Sequence, residues 1–174
     1  MADDFKNTKP KFAVLGAGHG GLAVAGSLAL MGFEVRLYNR TEERLWGVKA
    51  SGGIDLEGEI EGFGAISVAT ANIEEAIEKV DIIMVVVPAT GHRFIAEQCA
   101  PWLREGQIVI LNPGRTFGAL EFKQVLSERG CTADVMIAEA QTFIYASRAT
   151  GPGQVKIFRI KHSIPLASIR AHCR

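Results

Sequence analysis

Apolar positions along this chain fall into short blocks with two rhythms. Phe12-Ala13-Val14-Leu15 is a four-residue apolar run. Six residues follow, four of them glycine, then an almost unbroken apolar stretch to Met31 and an alternating segment, Glu34-Val35-Arg36-Leu37-Tyr38. This pattern predicts strand, turn, helix and strand. Residues 81–87 form a second apolar run rich in β-branched side chains and closed by Pro88, and 107–111 a third, closed by Asn112-Pro113-Gly114. Such runs are expected of parallel strands buried on both faces. Helices are predicted over 41–46 with Thr41 as N-cap, over 72–79 with Asn72 as cap, from Pro88 to Leu103, and over 118–128, where Arg129-Gly130 is a stop signal. Alternation around Gly58 predicts a small β-hairpin over 51–60, and 66–68 reads as a short strand. Strands at 134–138, 142–147 and 155–161 complete the pattern, the last two separated by the turn Gly151-Pro152-Gly153.

The alternation of strand and helix over the first two-thirds predicts an α/β fold. The sheet is expected to be doubly wound and Rossmann-type, mostly parallel, with a small β-hairpin insertion and antiparallel C-terminal strands that cap it. With 174 residues the chain has room for one full core. We expect residues 1–10 to form a loose leader and 11–174 a single domain. Lysine plus arginine and aspartate plus glutamate balance at 19 each, so bulk charge predicts neither nucleic acid nor an anionic membrane as a partner. The apolar run 82–87 is far shorter than the roughly 20 residues that span a bilayer. The polar N-terminus, Met1-Ala2-Asp3-Asp4-Phe5-Lys6, carries no export signal, and the expected location is the cytoplasm. Cys99, Cys131 and Cys173 are widely spaced, which predicts free thiols and no metal site.

The chemistry is expected at the carboxyl ends of the strands, where doubly wound sheets bind ligands. Gly16-Ala17-Gly18-His19-Gly20-Gly21 is a G-x-G-x-x-G turn between a strand and a helix. Gly16 permits the tight turn, Gly18 the approach of a pyrophosphate, and Gly21 close packing of helix on sheet. The amides of the helix start then face an anion, reinforced by the helix dipole. This context predicts a dinucleotide. His19 is placed to cover the pyrophosphate, although backbone amides do the work of such a loop. At the end of the second strand stand Asn39, Arg40 and Thr41. The acid that would bind the ribose hydroxyls of NAD is missing there, and the Arg40 fork suits a 2′-phosphate, with Thr41 as a further donor. NADP is therefore favoured, with NAD possible if Arg40 is only a solvated surface residue. Val87, Pro88 and Ala89 are expected to wall the cofactor. His92 reads either as a phosphate neighbour or as a solvated histidine at a helix start. Asn112, Pro113 and Gly114 should lie near the nicotinamide, with Arg115 a carboxylate binder or a surface charge. Glu139, followed by Gln141 and Thr142, faces the nicotinamide ribose or carboxamide, or else is a structural acceptor. His162 and His172 have no visible partner. No nucleophile–base arrangement emerges, so no catalytic residue is assigned.

Several blocks together resemble a known family. Residues 13–21, Val85-Val86-Val87-Pro88-Ala89 with His92, Gly106 to Gly114 leading into Gly118-Ala119-Leu120-Glu121-Phe122, and Glu139 to Arg148 leading to Pro152-Gly153-Gln154-Val155 are similar to the cofactor domain of the opine dehydrogenases. The glycerol-3-phosphate dehydrogenases share the same first domain type, but the Asn-Pro-Gly and Gly-Ala-Leu-Glu-Phe blocks point to the opine group. The resemblance implies an enzyme that joins an amino acid to a 2-oxo acid and reduces the imine with NAD(P)H. It also implies a helical second domain carrying the catalytic groups, which we expect to be absent from this chain. The alternative from another class is a non-catalytic dinucleotide-binding module or sensor. An apolar surface near residues 155–169 predicts a homodimer or a tendency to aggregate.

Overall fold

The structure, a computed structural model, describes residues 9–169. Its main sheet has seven strands in the order β11-β8-β7-β6-β1-β2-β5. These are β1 (Phe12–Leu15), β2 (Val35–Tyr38), β5 (Val68–Thr70), β6 (Ile82–Val85), β7 (Ile108–Leu111), β8 (Met136–Ala140) and β11 (Leu166–Ser168). All neighbours pair in parallel except β11, which runs antiparallel to β8. The chain builds outward from β1 in one direction through β2 and β5, then returns to the other side of β1 with β6. The carboxyl ends of β1 and β6 therefore flank the topological switch point, the crevice where such sheets hold ligands.

Side chains of β1 alternate between two apolar layers. Ala13 and Leu15 join Ile83, Val85, Val109 and Leu111 beneath helices α3 (Ile73–Ile77), α4 (His92–Cys99) and α5 (Gly118–Glu128). Phe12 and Val14 join Val35 and Leu37 on the opposite face, beneath α1 (His19–Leu30). A second, four-stranded sheet lies over the far side of α1, in the order β4-β3-β10-β9. It is made of β3 (Gly53–Gly58), β4 (Gly62–Ala65), β9 (Tyr145–Gly151) and β10 (Gln154–Ile160). Its Ile54, Leu56, Val155 and Ile157 are buried with α1 residues Leu22 to Ala25. The packing is close: a Cβ on Gly26 would stand 2.7 Å from the Leu56 side chain. Burial from both sides explains why α1 carries no polar face.

The expected fold class stands, and several boundaries are corrected. The third strand of the main sheet is Val68–Thr70 rather than 66–68, because its register against β2 begins with Arg36 opposite Val68. The predicted 51–60 hairpin turns later, with β4 starting at Gly62. Thr41 caps nothing with its side chain; the segment after it is a 3-10 turn, Glu42–Leu45, leading into α2 (Trp46–Ser51). The helix after Pro88 ends at Cys99, before the expected Leu103. The C-terminal strands 145–151 and 154–160 do not cap the main sheet; they complete the second sheet with the hairpin, and only β11 returns to the first. Asn72 does cap α3, its Oδ1 accepting from the Glu74 amide at 2.9 Å. Cys99 is buried and Cys131 half-buried, both free; Cys173 and His172 lie outside the described residues. No helix of the described residues is long and apolar enough to cross a membrane, and they contain no metal-ligand cluster.

Candidate functional site

Three glycines of the turn after β1 meet three different surroundings. Gly16 has φ +118°, and a Cβ there would lie 2.4 Å from the Val86 carbonyl oxygen, so the turn after β1 is pressed against the turn after β6. A Cβ on Gly21 would lie 1.6 Å from the Gly16 carbonyl oxygen, which sets how closely α1 approaches the loop. A Cβ on Gly18 would meet nothing within 4 Å. Gly18 is the N-cap of α1, without a side-chain hydrogen bond and without an acid in the first turn. The first helical amide to find a partner is that of Leu22, which donates to the Gly18 carbonyl at 3.0 Å. Open space thus lies beside Gly18, at the start of a helix without a side-chain cap, an arrangement that suits an anionic phosphate. The residues present fit a dinucleotide pyrophosphate on this count.

Asn39, at the end of β2, braces that loop. Its Oδ1 accepts from the Ala17 amide at 3.1 Å, and its Nδ2 donates to the Thr41 carbonyl at 3.1 Å and to Thr41 Oγ1 at 2.9 Å. The side-chain amide is therefore turned inward to its own loop. Arg40 beside it is exposed and makes no ion pair among the described residues. It stands near enough to Tyr38 to oppose the rise in that phenol's pKa, which burial dominates.

The opposite wall is the turn after β6. Val87 is half-buried, Pro88 and Ala89 are exposed, and a 3-10 turn, Ala89–Gly91, leads into α4. His92 is not the solvated histidine that its position suggested: it is 1% exposed. Its imidazole fills the space left by Gly118, whose Cβ would lie 3.2 Å from His92 Nδ1. Burial lowers the His92 pKa below its ordinary value, opposed by the charges of Glu121 and Glu139 and by a backbone hydrogen bond at Val87. Its Nε2 has no hydrogen-bond partner among the described residues.

Asn112 and Pro113 follow β7 and are joined by a cis peptide bond. Asn112 Nδ2 donates to the Ile110 carbonyl at 2.8 Å. Gly114 is buried against Glu139, whose Cβ would stand 2.2 Å from a Cβ at that position. Glu139 Oε2 in turn accepts from the Ala119 amide at 2.8 Å and so caps the start of α5. Arg115 is exposed, three residues before that helix. Thr142 Oγ1 accepts from Lys161 Nζ at 2.7 Å. One neighbour of the crevice was missed in the sequence: Phe143, whose ring would lie 2.8 Å from a Cβ on Gly20, next to Val86 at 3.2 Å. An isolated phenylalanine between two strands gives no signal of its own; only the second sheet brings it over the loop. His19 is exposed and reaches that sheet, its Nδ1 accepting from the Ala149 amide at 2.9 Å.

A doubly wound sheet with an uncapped glycine turn at its switch point defines a dinucleotide-binding domain. Comparison with known proteins makes the class definite. Residues 11–114 match the family model described as the NAD-dependent glycerol-3-phosphate dehydrogenase N-terminus, and the chain belongs to that family of NAD(P)-binding dehydrogenase domains. An opine dehydrogenase of Arthrobacter sp. (strain 1C) is 38% identical over 161 residues, covering 92% of this chain and 45% of that enzyme. A glycerol-3-phosphate dehydrogenase [NAD(P)+] of Streptococcus agalactiae serotype III (strain NEM316) is 35% identical over 115 residues, covering 62% of this chain and 32% of the relative. An octopine dehydrogenase structure with NADH and pyruvate has a TM-score of 0.83 at 23% identity, over 93% of this chain and 44% of that one. The last likeness concerns the fold. The chain spans less than half the length of each of these relatives.

Proposed function

We propose that this chain is the cofactor domain of an NADP-preferring, opine dehydrogenase-like oxidoreductase, which condenses an amino acid with a 2-oxo acid and reduces the imine. The observation that carries the opine reading is the extent of likeness: 92% of the chain against the opine dehydrogenase, and 62% against the glycerol-3-phosphate dehydrogenase. Preference for NADP is supported by an exposed Arg40 that makes no ion pair among the described residues, next to an Asn39 whose side chain is committed to Ala17 and Thr41.

In this reading the amides from Gly18 onward hold the pyrophosphate, Arg40 and Thr41 the 2′-phosphate, and Val87, Pro88 and Ala89 the adenosine side of the crevice. His92 supports that wall from behind. Asn112, Pro113 and Gly114 border the nicotinamide end, kept in place by Glu139, with Thr142 at the rim. The bound cofactor would supply the hydride. Amino acid, 2-oxo acid and catalytic groups belong to a helical domain of the longer family architecture, so no catalytic residue is proposed in this chain. The exposed Phe158, Ile160 and Leu166 support self-association of the isolated chain, and the cytoplasm remains the proposed location.

The branch is tested by joining this chain to the C-terminal part of the Arthrobacter opine dehydrogenase and, separately, to that of the Streptococcus agalactiae glycerol-3-phosphate dehydrogenase. NADPH oxidation that requires both an amino acid and a 2-oxo acid in the first chimera, with the second inactive, supports the proposal. Activity with glycerol 3-phosphate in the second chimera alone would assign the chain to the other branch.

A further inference from the structure

The second sheet does not merely cover α1; it is fastened to the glycine loop. His19 Nδ1 accepts from the Ala149 amide of β9 at 2.9 Å, and the His19 carbonyl accepts from Ser147 Oγ on the same strand at 3.2 Å. Phe143, just before β9, lies over Gly20. These contacts span about 130 residues of sequence and sit on the first turn of α1. They link the turn with open space above Gly18 to a strand that belongs to the other sheet.

We infer that His19 is a positioning residue: it clasps the pyrophosphate loop to β9 and makes the second sheet a structural part of the cofactor site. This rests on the dinucleotide reading above and goes beyond it. The chemistry follows from the acceptor role of Nδ1. A ring nitrogen that accepts an amide hydrogen carries none itself, so a neutral His19 is held as the tautomer with its hydrogen on Nε2. The exposed ring is thereby left with its donor on Nε2. Without the clasp, the Ala149 amide loses its acceptor and the first turn of α1 loses a brace that does not come from its own sheet. An asparagine at this position retains an oxygen that accepts from Ala149; an alanine does not.

The test uses His19→Ala, His19→Asn and the unaltered chain, with two readouts. The first is hydrogen exchange of the Ala149 amide without cofactor; the second is calorimetric titration with NADPH and NADH. His19→Ala is expected to speed Ala149 exchange and weaken binding of the preferred cofactor, each by about tenfold, the scale of one net hydrogen bond. His19→Asn is expected to recover most of both. Unchanged Ala149 exchange in His19→Ala overturns the clasp even if binding weakens, since the ring would then act only by direct contact. Unchanged binding alongside faster exchange overturns its positioning role. If the unaltered chain binds neither cofactor, the dinucleotide reading fails, and the exchange rates still decide whether the clasp exists.

Discussion

Alanine at Gly18 and alanine at Gly21 should separate binding from folding, although the two positions are three residues apart in one glycine motif. At Gly18 the new methyl meets no atom within 4 Å, and the backbone is already extended, at φ −83° and ψ −172°. Loss of a glycine N-cap costs up to about 1 kcal/mol, and reduced freedom of the unfolded chain returns about 0.4–1 kcal/mol. The melting temperature should then move by less than about 4 °C for a chain of this size. The same methyl stands where a phosphate must approach the helix-start amides. Loss of one charge-assisted hydrogen bond, about 1.5–3 kcal/mol, weakens binding roughly 10- to 100-fold. At Gly21 the methyl would lie 1.6 Å from the Gly16 carbonyl oxygen, a backbone atom that cannot swing aside. Overpacking of this kind costs at least about 1–3 kcal/mol and should lower the melting temperature by several degrees. Differential scanning calorimetry and cofactor titration on both variants check this. A folded Gly18→Ala chain that binds cofactor like the parent would refute the assignment of the anion site. A Gly21→Ala chain with an unchanged melting temperature would refute the packing of α1 on the loop.

Three further outcomes are expected. Asn39→Asp keeps an acceptor for the Ala17 amide but places a negative charge next to Arg40 and Thr41, the proposed 2′-phosphate contacts, so the ratio of NADH to NADPH affinity should rise at least about tenfold by titration. The His92 pKa is lowered in the folded chain, so between that lowered value and about 6.5 the unfolded chain binds more protons. Stability contributed by neutral His92 is therefore full above about pH 6.5 and lost as the pH falls toward the folded-state value. Thermal melts of the parent and His92→Gln across this window should show a shallower pH dependence in the variant, and parallel curves would contradict it. Sedimentation velocity should show concentration-dependent self-association that weakens in a Phe158→Lys, Leu166→Lys double variant; a monodisperse monomer at all concentrations would count against self-association through these exposed side chains.

Strands such as Ile82–Val85 and Ile108–Leu111 were legible because a continuous apolar run closed by a turn has few other solutions, although the structure fully buries only one face of each and leaves the other half-buried rather than burying both as expected. Helix α5 was legible end to end because Gly118 opens it and Gly130, at φ +71°, closes it. The second sheet was not, although α1 carried its signature: a helix without a polar face needs partners on both sides, and one sheet supplies only one. Local alternation located the hairpin and the last two long strands but could not show that they pair, since β3 and β10 lie about 100 residues apart in sequence. The site divides in the same way. The glycine turn is a local motif and was read directly. The burial of His92 depends on the space left by Gly118, and the capping role of Glu139 on a helix that starts 21 residues earlier. Both are tertiary facts that no local pattern encodes.

The central claim, that the crevice between β1 and β6 holds an NADP-type dinucleotide read by Arg40, is tested most directly by titrating the parent chain and Arg40→Ala with NADPH and NADH in a calorimeter. The account predicts that the parent binds NADPH more tightly than NADH, and that Arg40→Ala loses this preference while retaining its affinity for NADH. Equal affinity of the parent for both cofactors, or a preference that survives the substitution, would contradict the role of Arg40; binding of neither would contradict the site itself.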